Sequence, residues 1–198
     1  MASTYSALKI ELIGTGDQAG TWGATTNTNL GTALEEAITG SANVTFASSN
    51  VAIALTDTNA TQTARNLRLN LVGTITNAQT LFIPAIEKQY LIVNGLSNSV
   101  VISNGTNAAP TGTTVTIPAG KSAVVFNDSA NVAETTNFFS VLSLGSPLAI
   151  SSGGTGLATI GSNGQVLTSN GTVASWQTPA ATGVTTGKAI AMAMIFGF

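Results

Sequence analysis

The residues able to do chemistry in this chain are few, and two of the most useful types are missing. There is no histidine and no cysteine, which removes the Ser-His-Asp and Cys-His arrangements and the usual zinc ligand sets. A Ser-Lys pair needs a lysine beside the nucleophile. Lys121 and Ser122 are neighbours in an extended run, where successive side chains point to opposite faces. Glycoside hydrolysis needs two facing carboxylates roughly 5–9 Å apart. The eight acidic residues are dispersed, and Glu35 and Glu36, adjacent on an expected helix, diverge. "GTGDQAG" (14–20) has the glycines of a phosphate loop but not its Lys-Ser/Thr ending; the plainer reading is a loop that positions Trp22. "DTN" (57–59) offers oxygens of the kind hard cations take, and in a chain so rich in Thr and Asn it reads as a chance match. Trp22, Trp176, Tyr90, Phe138 and Phe139 are of the types that build sugar platforms, with core packing the default for each. The expectation is no enzyme, no cofactor and no metal.

The bulk composition points the same way. Only 7% of the 198 residues are charged, against about 25% in an average soluble domain. Hydrophobic residues reach 43%, so the chain is expected to fold rather than stay disordered. A folded surface with so few charges is poorly guarded against association. The net charge is −2 and the six Lys/Arg are scattered, so no nucleic-acid partner is expected. The start, "MASTYSALKIELIG", lacks a basic, apolar signal sequence, and no apolar run approaches the ~20 residues of a membrane span. No membrane partner is expected, and work outside a cell would imply release by lysis.

Three segments position these residues. In 1–40, "TNTNLGTALEEAITG" predicts one helix, capped by Asn27 or Thr28 and ended by Gly40 as a C′ glycine. Leu30, Ala33, Leu34, Ala37 and Ile38 form its apolar stripe. From 41 to 145, short Val/Ile/Leu/Thr/Phe-rich runs with period-2 alternation predict about eight strands: "NVTFASSNVAIALT", "RNLRLNLVG", "QTLFIP", "QYLIVN", "SVVIS", "TTVTIP", "KSAVVFN" and "NFFSVLSL". Turns are expected at Asn94-Gly95, Asn104-Gly105, Pro118-Gly120 and Asn127-Asp128. The spacing fits a mainly β protein built on a central antiparallel β-sandwich or jelly roll.

In 146–198, the uncharged, glycine-rich "ISSGGTGLATIGSNGQVLTSNGTVASWQTP" carries Asn163-Gly164 and Asn170-Gly171, hairpin dipeptides that need φ > 0. "QVLT" and "VASWQT" flank the second, predicting a tight β-hairpin that ends at Trp176. Glycines Gly153, Gly154 and Gly156 let chains approach closely, so this stretch is a candidate connector between copies. The ending "KAIAMAMIFGF" alternates large Ile190, Met192, Met194 and Phe196 with alanines, which predicts a strand. Its bulky face must be buried against its own sandwich or against another copy, and burial of that face is worth several kcal/mol at ~25 cal/mol per Å².

The Gly-Gly-Thr-Gly turn (Gly153–Gly156), the run Gly164–Thr172 and Trp176 resemble a segment of tail-fibre and related virion proteins of tailed bacteriophages. "GTWGATTNTNLGTALEEAI" is similar to such proteins as well, and "KAIAMAMIFGF" looks like the C-termini of marine phage structural proteins. The resemblance implies a homotrimeric, β-rich, non-enzymatic component of the virion. The chain is much shorter than long fibres, which favours a short tail fibre, an adaptor or a capsid decoration protein. On that footing Gly153, Gly154, Gly156, Trp176, Ile190, Met192, Met194 and Phe196 are the candidate oligomer interface. Trp22, Leu30 and Leu34 are the candidate attachment to other virion proteins of tail or capsid. A fibre tip that contacts a host surface receptor, sugar or protein, is the competing reading.

Overall fold

The computed structural model describes residues 2–106, 109–136, 138, 140, 144–146, 148, 152, 154–179 and 186–197. Phe139, Gly153 and most of the expected strand at 137–144 lie outside these. The chain divides into two compact units, Met1–Phe138 and Phe139–Phe198.

Unit 1 opens with a small antiparallel pair, β1 (Thr4–Tyr5) and β2 (Glu11–Leu12). Helix α1 (Trp22–Thr28) continues through a π-helical turn (Asn29–Leu34) into α2 (Glu35–Thr39). The helix therefore starts before the expected caps, Asn27 and Thr28, which lie inside it. Its first turn is set by the preceding loop, since Thr21 and Trp22 both donate backbone N–H to the Gln18 carbonyl. Gly40 ends the helix, but with extended backbone (φ −63°, ψ 146°) rather than the left-handed conformation expected of a C′ glycine. Space is the reason for glycine here: a Cβ would collide with Asn66 Oδ1 and the Glu36 carbonyl.

Nine strands follow: β3 (Ser41–Ala47), β4 (Val51–Ala52), β5 (Arg68–Thr74), β6 (Gln79–Ile83), β7 (Glu87–Asn94), β8 (Val100–Thr106), β9 (Ala109–Ile117), β10 (Ser122–Asp128) and β11 (Val132–Glu134). They form a five-stranded sheet, β11-β10-β7-β5-β3, and a four-stranded one, β4-β6-β8-β9. From β3 to β8 consecutive strands alternate between the sheets. Neighbours within a sheet are therefore two elements apart, and β3–β5–β7 and β4–β6–β8 run parallel. Only β9, β10 and β11 fold back antiparallel. The result is a mainly β, sandwich-like body of mixed sheets. It corrects the all-antiparallel sandwich and the jelly roll, because period-2 alternation reports which face is buried, not which strand lies alongside. The Asn104-Gly105 turn is also corrected: both residues sit within β8, paired with β9.

The inner faces form one core. Val44, Phe46, Leu69, Leu71, Tyr90, Ile92 and Val125 from the larger sheet meet Leu81, Ile83, Val100, Ile102, Val115 and Ile117 from the smaller. Parallel register stacks them in rungs, such as Ala42–Leu69–Ile92. Each fully buried side chain of this size contributes about 1.5–3 kcal/mol.

Unit 2 contains β12 (Val166–Ser169) and β13 (Ala174–Gln177), paired antiparallel with Leu167 opposite Trp176. In the connection, Asn170 Oδ1 accepts from the backbone N–H of Thr172 and Val173 (both 2.9 Å), and Gly171 takes φ +89°. The expected C-terminal strand is instead a helix, α3 (Thr186–Phe196). Alanine is the best helix former and Met and Lys are good ones, so local propensity overrides the alternating pattern. As a strand the ending would show one bulky face. As a helix it is apolar all round.

Candidate functional site

Unit 1 is organised around Arg65, which closes the 3-10 turn Thr63–Arg65 and is fully buried. All of its guanidinium nitrogens are bonded. Nε donates to the Leu8 carbonyl (2.9 Å), and one terminal nitrogen donates to Glu36 Oε2 (3.0 Å) and the Ala60 carbonyl (2.9 Å). The other donates to the carbonyls of Thr58 (2.8 Å) and Lys9 (3.3 Å). One side chain thus ties the N-terminal hairpin, helix α2 and the loop after β4 together, using the fork that only arginine offers. Glu36 is held further by the Gln62 backbone N–H, 3.3 Å from each carboxylate oxygen. Asn29 completes the join by pairing with the backbone of β2: its Nδ2 donates to the Glu11 carbonyl (2.8 Å) and its Oδ1 accepts from the Glu11 N–H (3.2 Å). The "GTGDQAG" loop is built in as well. Asp17 Oδ2 accepts from Ser3 N (3.0 Å) and Oγ (2.9 Å), and the Ser3 hydroxyl foremost lowers the Asp17 pKa.

These side chains are structural, and the remaining titratable groups do not converge either. Asp57 of the "DTN" triplet pairs with Lys9 (2.7 Å), while the Thr58 carbonyl is taken by Arg65 and Gln62. Among the described residues no three His, Cys, Asp or Glu side chains are grouped to hold a metal. A cleft of about 320 Å³ lies among Ala52, Ile53, Leu55, Pro84 and Ile86. Its lining is apolar, and the one charged side chain along it, Lys9, is the partner of Asp57.

Lys88 is the unusual ionisable group. It lies on the inner face of β7, buried, with its ammonium 4.7 Å from the Tyr90 ring centroid. Tyr90 is itself buried and donates its hydroxyl to the Ala64 carbonyl (2.8 Å). Burial lowers the Lys88 pKa from 10.5 to about 8 and raises that of Tyr90 above its ordinary 10.0. An amine whose folded pKa is depressed opposes folding wherever the unfolded amine is protonated and the folded site must carry or lose the proton. That penalty is relieved as pH rises from about 8 towards 10.5. Above about 10 the unfolded Tyr90 ionises while the folded one does not, which reverses the trend. Urea midpoints measured against pH should therefore climb above pH 8 and turn over near pH 10. Lys88→Met should raise the midpoint at pH 7 and abolish the climb; a flat wild-type profile would refute this assignment.

Many exposed apolar groups lie on helices, though Ile160 and Phe138, outside any helix, are exposed as well. Trp22, Leu30, Leu34 and Ile38 are exposed, whereas Ala33 of the same stripe is fully buried. The stripe is thus split: its small members face in and its large ones face out. In α3, Ile190, Met192, Met194 (81% exposed), Ile195 (75%) and Phe196 all face solvent. The hairpin adds exposed Val166, Leu167 and Val173.

Trp176 is half-buried. Its Nε1 donates to the Thr159 carbonyl (2.8 Å) and its ring lies against Gly161 (φ +76°), where any Cβ would strike it. Gly154 sits where a Cβ would collide with the Leu148 carbonyl, and Gly156 takes φ +71°. So these three candidate interface residues make close contacts within their own chain, while Ile190, Met192, Met194 and Phe196 are turned outward. Of the aromatic candidates, Tyr90 is core, and Trp22 and Phe138 are exposed. Sequence reasoning missed Arg65 and Asn29. The available signal was a pair of neighbouring arginines, Arg65 and Arg68, in a chain nearly free of charge.

No family model matches this chain, and no curated protein and no solved structure matches it.

Proposed function

We propose that this chain is a non-enzymatic structural protein of a tailed-bacteriophage virion, a short tail fibre, adaptor or fibre-like component that assembles as a homotrimer through residues 146–198. One observation carries the self-association: every large apolar side chain of α3 is exposed in the single chain. An all-round apolar helix belongs in a buried setting, and a contiguous apolar surface of this kind marks an interaction site. The glycine-rich hairpin is the connector, uncharged and tightly folded around Trp176. The exposed Trp22, Leu30 and Leu34 supply the attachment to another virion protein, and Ile38 extends that row. The virion assignment rests on the resemblance of 20–38 and 150–179 to phage fibre and related virion proteins and of 188–198 to the C-termini of marine phage structural proteins. A receptor-binding tip is less favoured, because Tyr90 is buried in the core and the Trp176 ring is held against Gly161.

Sedimentation velocity on the full-length protein tests this directly. A stable trimer is expected, with Met194→Asp/Phe196→Asp shifting it to monomer while the far-UV circular dichroism of the β body is unchanged. A wild-type monomer at all concentrations would defeat the reading.

A further inference from the structure

We infer that β3 is an edge-to-edge docking strand for a second copy of this chain, paired antiparallel about a two-fold axis at Val44. The contact lies wholly in unit 1 and goes beyond the trimeric association through residues 146–198; in a trimer it would join chains of different trimers in pairs.

Three observations meet on this strand. First, β3 ends the five-stranded sheet, with β5 as its only paired neighbour among the described residues. It is seven residues long, carries no charge and no proline, and so lacks the devices that normally blunt an edge. The phase of its ladder is fixed at both ends, where Arg68 N donates to the Gly40 carbonyl (2.9 Å) and Ser48 N to the Thr74 carbonyl (2.9 Å). In a parallel ladder that phase turns the backbone groups of Ala42, Val44 and Phe46 toward β5. Those of Ser41, Asn43, Thr45 and Ala47 point outward, ready for a new strand.

Second, Ala42, on the inner face of this strand, is among the partly buried hydrophobics packed against the core, while Val44 and Phe46 of the same face are buried.

Third, the strand is complementary to itself. With Val44 opposite Val44 of the second copy, Ser41 faces Ala47, Ala42 faces Phe46 and Asn43 faces Thr45. The outward-directed residues then fall opposite one another, as the hydrogen-bonded pairs of an antiparallel ladder must. The inner positions pair small with large, Ala42 with Phe46, so no two bulky side chains are forced together except Val44 with Val44. On the outer face only uncharged polar or small side chains meet. There Asn43, whose Oδ1 accepts from Asn70 Nδ2 (3.2 Å), extends an existing amide contact toward Thr45 of the copy. A one-residue slip would put inner residues opposite outer ones, and of the registers that keep the faces matched, the one centred on Val44 pairs all seven residues of the strand.

The chain has no cysteine, which makes cross-linking a clean test. Directly opposed residues in non-hydrogen-bonded antiparallel pairs have Cα atoms about 4.5 Å apart, within disulfide range. Full-length Val44→Cys, oxidised under native conditions, should run as a covalent dimer on a non-reducing gel. Thr45→Cys alone should cross-link far less, because its mate lies diagonally across. Because Val44 is buried, a second experiment uses exposed positions only: mixing Asn43→Cys with Thr45→Cys should give more dimer than either alone. Adding Thr45→Pro to Val44→Cys removes an outward N–H that β5 does not use, and should suppress the dimer while the thermal transition persists. The inference falls if Val44→Cys and the mixed pair both remain uncross-linked, or if all single cysteines cross-link equally. A sedimentation result that abolished the trimer would leave this gel pattern untouched, and the reverse holds too.

Discussion

Arg65→Met should be the most damaging single substitution in unit 1, lowering its stability by about 3–5 kcal/mol, the usual cost of breaking a buried ion pair from one side. The reason is the number of groups left behind. Glu36 loses its cationic partner, and the carbonyls of Leu8, Lys9, Thr58 and Ala60 lose a donor at once. Water cannot replace five bonds inside a site of zero exposure without opening it. Arg65→Lys should rescue little, since one ammonium cannot reach acceptors spread over three chain segments. Glu36→Gln should be milder, because Arg65 keeps its four carbonyl acceptors and an amide oxygen takes the place of the carboxylate. Urea denaturation followed by near-ultraviolet circular dichroism orders the three. If Glu36→Gln proved as costly as Arg65→Met, the carbonyl bonds would be incidental and the ion pair alone would matter.

Gly73→Val is the second large effect expected, at roughly 3 kcal/mol or more, since a left-handed or otherwise strained backbone alone costs about 1–3 kcal/mol in a non-glycine residue. Gly73 sits inside β5 with φ +106°, opposite Phe46 of β3. A Cβ there would strike the Phe46 carbonyl oxygen, and its backbone nitrogen lies only 3.0 Å away. Neither is the tip of a flexible side chain, so relief requires β3 to move off β5 and to pull Phe46, almost fully buried, out of the core. Gly120 is the control. Its φ is +68° but nothing lies within 4 Å of its Cβ position, so Gly120→Ala should cost only the ~1–2 kcal/mol of the left-handed conformation. Equal losses for Gly73→Val and Gly120→Ala would show that the close approach of β3 and β5 is unimportant.

These two positions mark the boundary between what was legible in the chain and what was not. Composition and alternation were enough to expect a mainly β body, and the runs "QTLFIP", "QYLIVN", "TTVTIP" and "KSAVVFN" are strands close to their expected bounds. The reason is local: burying one face of a strand demands period 2, whatever its neighbour. The same locality explains the failures. Leu69 and Leu71 say that β5 has a buried face, but not that β3 and β7 flank it in parallel. That choice depends on the links crossing between sheets, which no single run records. The sequence at 188–198 carried two local signals, alternation and alanine-rich helix propensity, and over Thr186–Phe196 propensity prevailed. Gly40 and Gly73 were visible as glycines, but the atoms that forbid a side chain there, in Asn66 and Phe46, come from other segments.

By itself, then, the sequence determined the class of structure, the absence of His and Cys chemistry, and the clustering of large apolar residues at 20–38 and 188–198. Only the tertiary structure decided that Arg65 joins three segments, that the sheets are wound largely in parallel, and that β3 is left as an open, self-complementary edge. Those outcomes depend on contacts between residues far apart in the chain, where solvent exclusion, register and backbone proximity act together and no local pattern carries the information.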